Sequence, residues 1–459
     1  MFGMHSAHTR RRSLWLAMCL QCALACGDDD DPTPVAGAGG ASGTSGASGT
    51  SGIAGGSGTL GTSGAGGRSG SGGTRPNPGG QGASGGAGGT GGRGGNGGVA
   101  GAAPSGDLVN PAPGSKFFLG ANFWNIEWEG GGNYFTSGVD WSSTQDPWNP
   151  QLITDLAPYH VLRFMDWNLT NVTDNRQADW SSRVKATDDQ EAPVAFEWQI
   201  DLCNRAKKDY WVNIPHEADE DYAAQLASLI KDKLDPSLRV YVEWSNEVWN
   251  PGFPQRRYAE QQADQNGLGG AQKWASYQVY ASVRVFEAFE AVFGKNSPRL
   301  VKVIAGQAAW ADICNSHMTA FDDAKINPNG VEPSAYAIAP YFAGGSVGDL
   351  TSSGIPEAKG WVEDNVPCAE RAGIPLIAYE GGQDSYELGE QGCRQVQGES
   401  GMREAYKTFL DAMLEAGLQG PFTQYTHSGN CWGLKRRTSD STESSPKYQG
   451  VIEWLAEHP

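Results

Sequence analysis

From residue 117 to the C-terminus, short apolar runs rich in β-branched and aromatic residues alternate with amphipathic stretches of helical period. The runs over 117–124, 160–166, 210–216, 239–247, 301–307, 335–342, 375–381 and 420–427 are expected to be strands. The clearest helical patterns between them cover 193–208, 221–234, 271–293, 401–416 and 448–458. Pro193 and Pro446 stand where a helix accepts proline, near its first turn. After the first and fifth strands the helical pattern is weak, and loops full of Gly, Asp and Trp replace or delay it. Strand-then-helix alternation repeated eight times predicts a (β/α)8 TIM barrel, an α/β fold. An open doubly wound sheet is the alternative. Leu119-Gly120-Ala121-Asn122 does not read as the glycine-rich dinucleotide loop that such a sheet often carries after its first strand.

The residues before this alternation cannot join its core. Of the 64 glycines, 32 lie between positions 32 and 106, in a stretch almost without large apolar side chains. Such a composition buries too little surface to offset the entropy of ordering it, so 27–106 is expected to be a disordered Gly/Ser/Ala-rich linker. A 75-residue flexible chain spans roughly 45–50 Å. Ahead of it, Arg10-Arg11-Arg12 precede a short apolar run ending Ala23-Leu24-Ala25-Cys26-Gly27. A basic region before a run too short to span a bilayer is a secretory signal, expected over 1–26. The domain proper is then 107–459.

Charge and cysteine usage narrow the setting. Setting aside six arginines and four aspartates before residue 107, 34 basic and 52 acidic residues become 28 and 48, a net of −20. Such a domain repels phosphate backbones, so no nucleic-acid partner is expected. Cys203, Cys314, Cys368, Cys393 and Cys431 remain in the domain, an odd number that leaves at least one free thiol. Pairs such as Cys314–Cys368 or Cys393–Cys431 are allowed in an oxidising compartment, and the connectivity is open. No two are spaced like zinc ligands, so no structural metal is expected, and the carboxylate chemistry read below needs no cofactor.

In a barrel of this kind chemistry sits at the C-terminal ends of the strands. Arg163 ends the second, His216 the third, Asn246-Glu247 the fourth, Tyr341 the sixth and Glu380 the seventh; His427 and Trp432 follow the eighth. Glu247 and Glu380 finish apolar strands on opposite sides of the ring. Cleaving a glycosidic bond needs such a pair, one carboxylic acid to protonate the leaving oxygen and one carboxylate to attack the anomeric carbon. Glu243 shares a strand face with Glu247 and is read as a satisfied interior carboxylate, and Glu127 and Glu129 as loop surface.

Asn-Glu at the end of strand four and Glu at the end of strand seven resemble the retaining glycoside hydrolases of clan A, which include endoglucanases, mannanases, xylanases and β-glucosidases. The resemblance implies Glu247 as acid/base, Glu380 as nucleophile and Asn246 as the partner of the sugar 2-hydroxyl. It implies Arg163 and Tyr341 as supports of the nucleophile, His216 in the subsite of the attacked sugar and Trp432 as an aromatic floor. Ala339 stands where the clan often carries His. The string Ser245-Asn246-Glu247-Val248-Trp249-Asn250 also resembles bacterial proteins described as cellulose-binding, so a carbohydrate-binding protein without turnover is the alternative. The Ala25-Cys26 junction resembles a lipoprotein signal, which implies lipidation at Cys26 and a membrane anchor, with free secretion as the alternative.

Fifteen of the 16 tryptophans fall in 107–459. Aromatic faces suit sugar rings. Trp198, Trp274 and Trp454 lie in helical patterns and are expected to pack on the barrel. About half of Trp124, Trp128, Trp141, Trp148, Trp167, Trp249 and Trp432 are expected to line a cleft, and His427 to be either structural or a subsite residue. The expected protein is a monomer that acts on a neutral glycan, β-glucan or β-mannan first, at the cell surface or secreted.

Overall fold

The computed structural model describes residues 107–459, apart from 124–133, 137–138, 142, 144–145, 174–177, 191–192 and 430. The expected signal, the lipidation at Cys26, the glycine-rich linker and Glu127, Glu129, Trp124 and Trp128 lie outside the described residues.

The chain forms a closed barrel of eight parallel strands. In chain order the strands are β1 (Leu119–Asn122), β2 (Val161–Arg163), β3 (Asp209–Ile214), β4 (Val240–Trp244), β5 (Leu300–Ala305), β6 (Ala335–Ile338), β7 (Tyr341–Ala343), β8 (Leu376–Ala378), β9 (Gly382–Asp384) and β10 (Phe422–Gln424). The barrel runs β1-β10-β8-β6-β5-β4-β3-β2. All eight expected strands are present, the seventh and eighth as β8 and β10. The pair β7–β9 is a separate two-stranded parallel ribbon.

This ribbon corrects one expectation. The sixth run, read as a single strand to residue 342, breaks at Ala339-Pro340. Proline has no N–H for the ladder, so the barrel strand stops before it. The chain then pairs again, with Tyr341 opposite Gly382. The turn back into β9 needs glycine: at Gly382, φ is +139° and a Cβ would stand 2.4 Å from Gln424 Nε2.

Strand alternation sorts the side chains. Val161, Trp211, Tyr241, Val301, Val303, Ala335, Ala337, Ile377 and Tyr379 form one buried cluster. A second, larger cluster contains Leu162, Tyr210, Val212, Val242, Ile304 and Ile338 together with helix residues such as Trp274, Phe286 and Trp454. Helix ends follow local rules. Glu220–Lys233 begins with Asp219 accepting from the backbone N–H of Tyr222 at 2.8 Å and ends with Lys231 and Lys233. Pro446 opens Pro446–Glu457, as expected. Pro193 does not open its helix, which begins at Phe196; Gln190 instead accepts from the Ala195 N–H there. The weak pattern after β5 is a ten-residue helix, Asp312–Phe321, and that after β1 is the short Pro150–Asp155.

Both disulfides among the allowed pairs are formed, Cys314–Cys368 and Cys393–Cys431, and Cys203 is free and buried. Among the described residues no helix is long and apolar enough to cross a membrane, and no cluster of His, Cys, Asp or Glu could hold a metal ion.

Candidate active site

Register builds the site from β2 outward. Asn122 pairs with Arg163, Arg163 with Trp211, and Asn213 with Glu243, so polar side chains collect at one level of the barrel. Arg163 is fully buried and stacks on Trp211 and Tyr379, at 5.5 and 5.1 Å from the ring centres. Its Nη1 donates to Glu380 Oε1 at 2.8 Å and to Asn122 Oδ1 at 3.1 Å. Its Nη2 donates to Asn246 Oδ1 at 2.9 Å and to Glu243 Oε2 at 3.0 Å. One guanidinium thereby joins Glu380, just past the seventh barrel strand, to Asn246, just past the fourth.

Glu380 is 4 % exposed. Its second oxygen, Oε2, accepts from Tyr341 Oη at 2.9 Å. The β7–β9 ribbon explains that contact, because Tyr341 lies opposite the residue two beyond Glu380. Burial leaves the Glu380 carboxyl above the ordinary carboxylate range, although Arg163 and then Tyr341 act to lower it.

Glu247 has a different surrounding. It is partly exposed, while Asn246 beside it is buried. Burial and then the charge of Glu380 push its carboxyl up to about 8, against a hydrogen bond from Asn250 Nδ2 at 3.0 Å. No guanidinium hydrogen bond is formed to it among the described residues. Where two carboxylates share one field, the proton stays on the one without the cation. The backbone here is unusual: φ is +61° at Ser245 and +40° at Glu247, both in the left-handed region. Non-glycine residues held there carry strain and cluster at functional sites.

Other expected residues divide. Asn246 is anchored at both ends, its Nδ2 donating to Asn171 Oδ1 at 3.0 Å, and Gln255 supports Asn171 Oδ1 and the Asn246 carbonyl. His216 lies edge-on to Tyr258 with its Nδ1 unpartnered, and burial lowers it to about 4, so the ring is neutral. Trp249 donates from Nε1 to Tyr379 Oη at 3.3 Å and is 7 % exposed. Trp432 is only 2 % exposed, stacked under Tyr386 at 4.9 Å and edge-on to Tyr425. It backs the wall instead of forming an open floor, and the aromatic that directly follows β10 is Tyr425. His427 is fully buried, with Nδ1 on Tyr159 Oη at 3.2 Å, the surroundings of the structural histidine that was one of its two expected roles and not of a subsite residue. Two wide rings draw it into the core behind the mouth, Tyr159 and Tyr448.

The sequence reading missed Asp166. It follows Arg163 by three residues, in the one-turn helix Asp166–Asn168. Tyr425 Oη donates to its Oδ2 at 3.1 Å, and burial and the charge of Glu380 raise its carboxyl to about 7. The available signal was its place in the string that ends the second strand. Tyr379, Asn122 and Asn171 were missed as well, because each acts through a partner from another strand or loop.

No protein-family model and no curated protein sequence matches the chain. Among solved structures it is similar to a 4-O-α-L-rhamnosyl-β-D-glucuronidase from Fusarium oxysporum, at 15 % identity and a TM-score of 0.45, over 77 % of this chain and 70 % of that one. It is similar to a modular endo-β-1,4-mannanase from Cellulomonas fimi, at 11 % identity and a TM-score of 0.41, over 75 % and 71 %. An exo-β-1,4-mannosidase from Opitutaceae bacterium strain TAV5 aligns at 13 % identity and a TM-score of 0.42, over 76 % and 62 %.

Proposed function

We propose that this barrel is a retaining β-glycosidase. The observation that carries the reading is the unequal pair at the strand ends. Glu380 is held by Arg163 and Tyr341, and Glu247 keeps its proton in the field of Glu380. An ionised carboxylate beside a carboxylic acid is the division of labour that glycoside cleavage requires.

In the first step a Glu380 oxygen attacks the anomeric carbon. The bond from that carbon to the leaving oxygen breaks, and the Glu247 proton passes to the departing oxygen. In the second step Glu247, now a carboxylate, takes a proton from water. The resulting hydroxide attacks the anomeric carbon and releases Glu380. Arg163 and Tyr341 orient the attacking carboxylate through both steps, and Asn246 and neutral His216 meet the hydroxyls of the attacked sugar. The substrate is a neutral glycan, β-glucan or β-mannan first, because a domain of net charge −20 disfavours an acidic polymer. The protein is exported as a monomer and tethered through Cys26; two disulfides in the barrel domain support an oxidising setting.

The test is Glu380→Gly assayed on an aryl β-glycoside with and without azide. Loss of turnover, restored by azide as a glycosyl azide of inverted configuration, is expected. Full activity in the variant overturns Glu380 as nucleophile. A wild type inert on every β-glycan yet retarded by a polysaccharide gel means a binding protein.

A further inference from the structure

Arg163 serves two carboxylates. Besides Glu380, its Nε and Nη2 both point at Glu243 Oε2, at 3.2 and 3.0 Å. Trp211 Nε1 adds a third donor to the same oxygen at 2.9 Å. Glu243 is 1 % exposed and Arg163 is fully buried. Three N–H groups converging on one oxygen is the geometry of an ionised carboxylate, which accepts and does not donate. The charge on Glu243 therefore faces the guanidinium from the side away from Glu380. Without it the remaining hydrogen bonds of the guanidinium go to Asn122, Asn246 and Glu380 itself, beside the Trp211 and Tyr379 rings.

We propose that Glu243 is a positioning residue, which fixes the guanidinium plane and draws off part of its field so that Glu380 is held without being locked into its ion pair. The inference rests on the reading of Glu380 as the attacking carboxylate. The groups around Glu243 are few: Arg163 from β2, Trp211 and Asn213 from β3, and Val303 opposite it on β5. Arg163 is the charged one among these. Glu380 meets Arg163 and Tyr341 directly and lies in the fields of Glu243, Glu247, Asp166 and Tyr379.

Glu243→Gln is a conservative probe. The amide oxygen can stay on Arg163 and Trp211, and the new N–H groups can turn toward the register neighbour Asn213, whose Oδ1 is unpartnered. The readout is covalent trapping by a 2-deoxy-2-fluoro-β-glycosyl fluoride. The Glu380 oxygen bonds to the anomeric carbon and fluoride leaves with the bonding pair, so no proton from Glu247 is needed. The acid limb of trapping then reports the ionisation of Glu380 without a proton-donor requirement from Glu247. With the competing charge removed, Arg163 holds Glu380 harder. The acid limb of trapping is expected to move down by about one pH unit, with a several-fold lower plateau. Glu243→Asp keeps the charge but shortens the reach, so it should lower the plateau and leave the limb in place. An unmoved limb in Glu243→Gln overturns the inference, as does a shift of equal size in both variants. Should Glu243→Gln not fold, a wild-type plateau in Glu243→Asp overturns it. A wild type that is never trapped, at any pH, overturns the glycosidase reading itself; a trapped wild type with unmoved variants overturns only the role of Glu243.

Discussion

Tyr341 donates to the oxygen of Glu380 that Arg163 does not touch, so each carboxylate oxygen has its own donor, at 2.9 and 2.8 Å. The two donors arrive from different strands and differ in kind, one neutral and one cationic. Their removal should be separable in experiment.

Tyr341→Phe removes a hydrogen bond that favours the charged form of Glu380. Its carboxyl then rises, and the acid limb of kcat/KM moves to higher pH by about half a unit to one unit. The basic limb, set by Glu247, should stay. A pH–rate profile on one aryl β-glycoside checks both limbs together.

Arg163→Lys keeps a positive charge but loses the planar fork that reaches Asn122, Glu243, Asn246 and Glu380 together. A fall in kcat of about 10²-fold is expected, the scale of losing one preorganised electrostatic contact. Steady-state kinetics on the same glycoside measure it.

Glu247→Gln cannot protonate a leaving group. Turnover of an alkyl glycoside should drop by about 10²–10⁴-fold, the usual contribution of a general acid. Formation of the glycosyl-enzyme from a dinitrophenyl glycoside, whose leaving group needs no proton, should survive. In the wild type the basic limb of kcat/KM should fall near pH 8, where Glu247 loses its proton. A burst of dinitrophenolate in the variant and a wild-type profile test the two statements.

The same carboxyl should leave a mark on stability. Its value in the folded protein, about 8, lies above the unfolded value of roughly 4.3. Between those pH values the folded state holds a proton that the unfolded chain has released. The stabilising contribution is complete below the lower value and is lost as pH rises through the upper one. Glu247→Gln removes this slope. At pH 8 it should melt above the wild type by about 1–3 °C, and at pH 4 with it. Calorimetry at the two pH values decides.

The barrel was legible because period-2 and period-3.6 patterns are local, and eight strand runs with five clear helical patterns between them reinforce one another. The strand-end residues Arg163, Tyr341 and Glu380 were legible for the same reason: a strand's end marks the mouth. What stayed hidden depends on contacts between strands. Asp166 looks like any loop acid until Tyr425 and Glu380 are beside it. Trp432 reads as an exposed sugar platform until Tyr386 covers it. The break of the sixth strand at Pro340 was written in the sequence, and its consequence, a ribbon that carries Tyr341 to Glu380, was not.

The left-handed backbone at Ser245 and Glu247 bears on how such a protein can change over generations. Glycine fits both positions better than the residues that occupy them. A mutation of Glu247 to glycine would relieve strain and discard the raised carboxyl in one step, with no proton donor left. Under the proposed function, the step from glycosidase to inert sugar-holder would then run downhill in folding free energy.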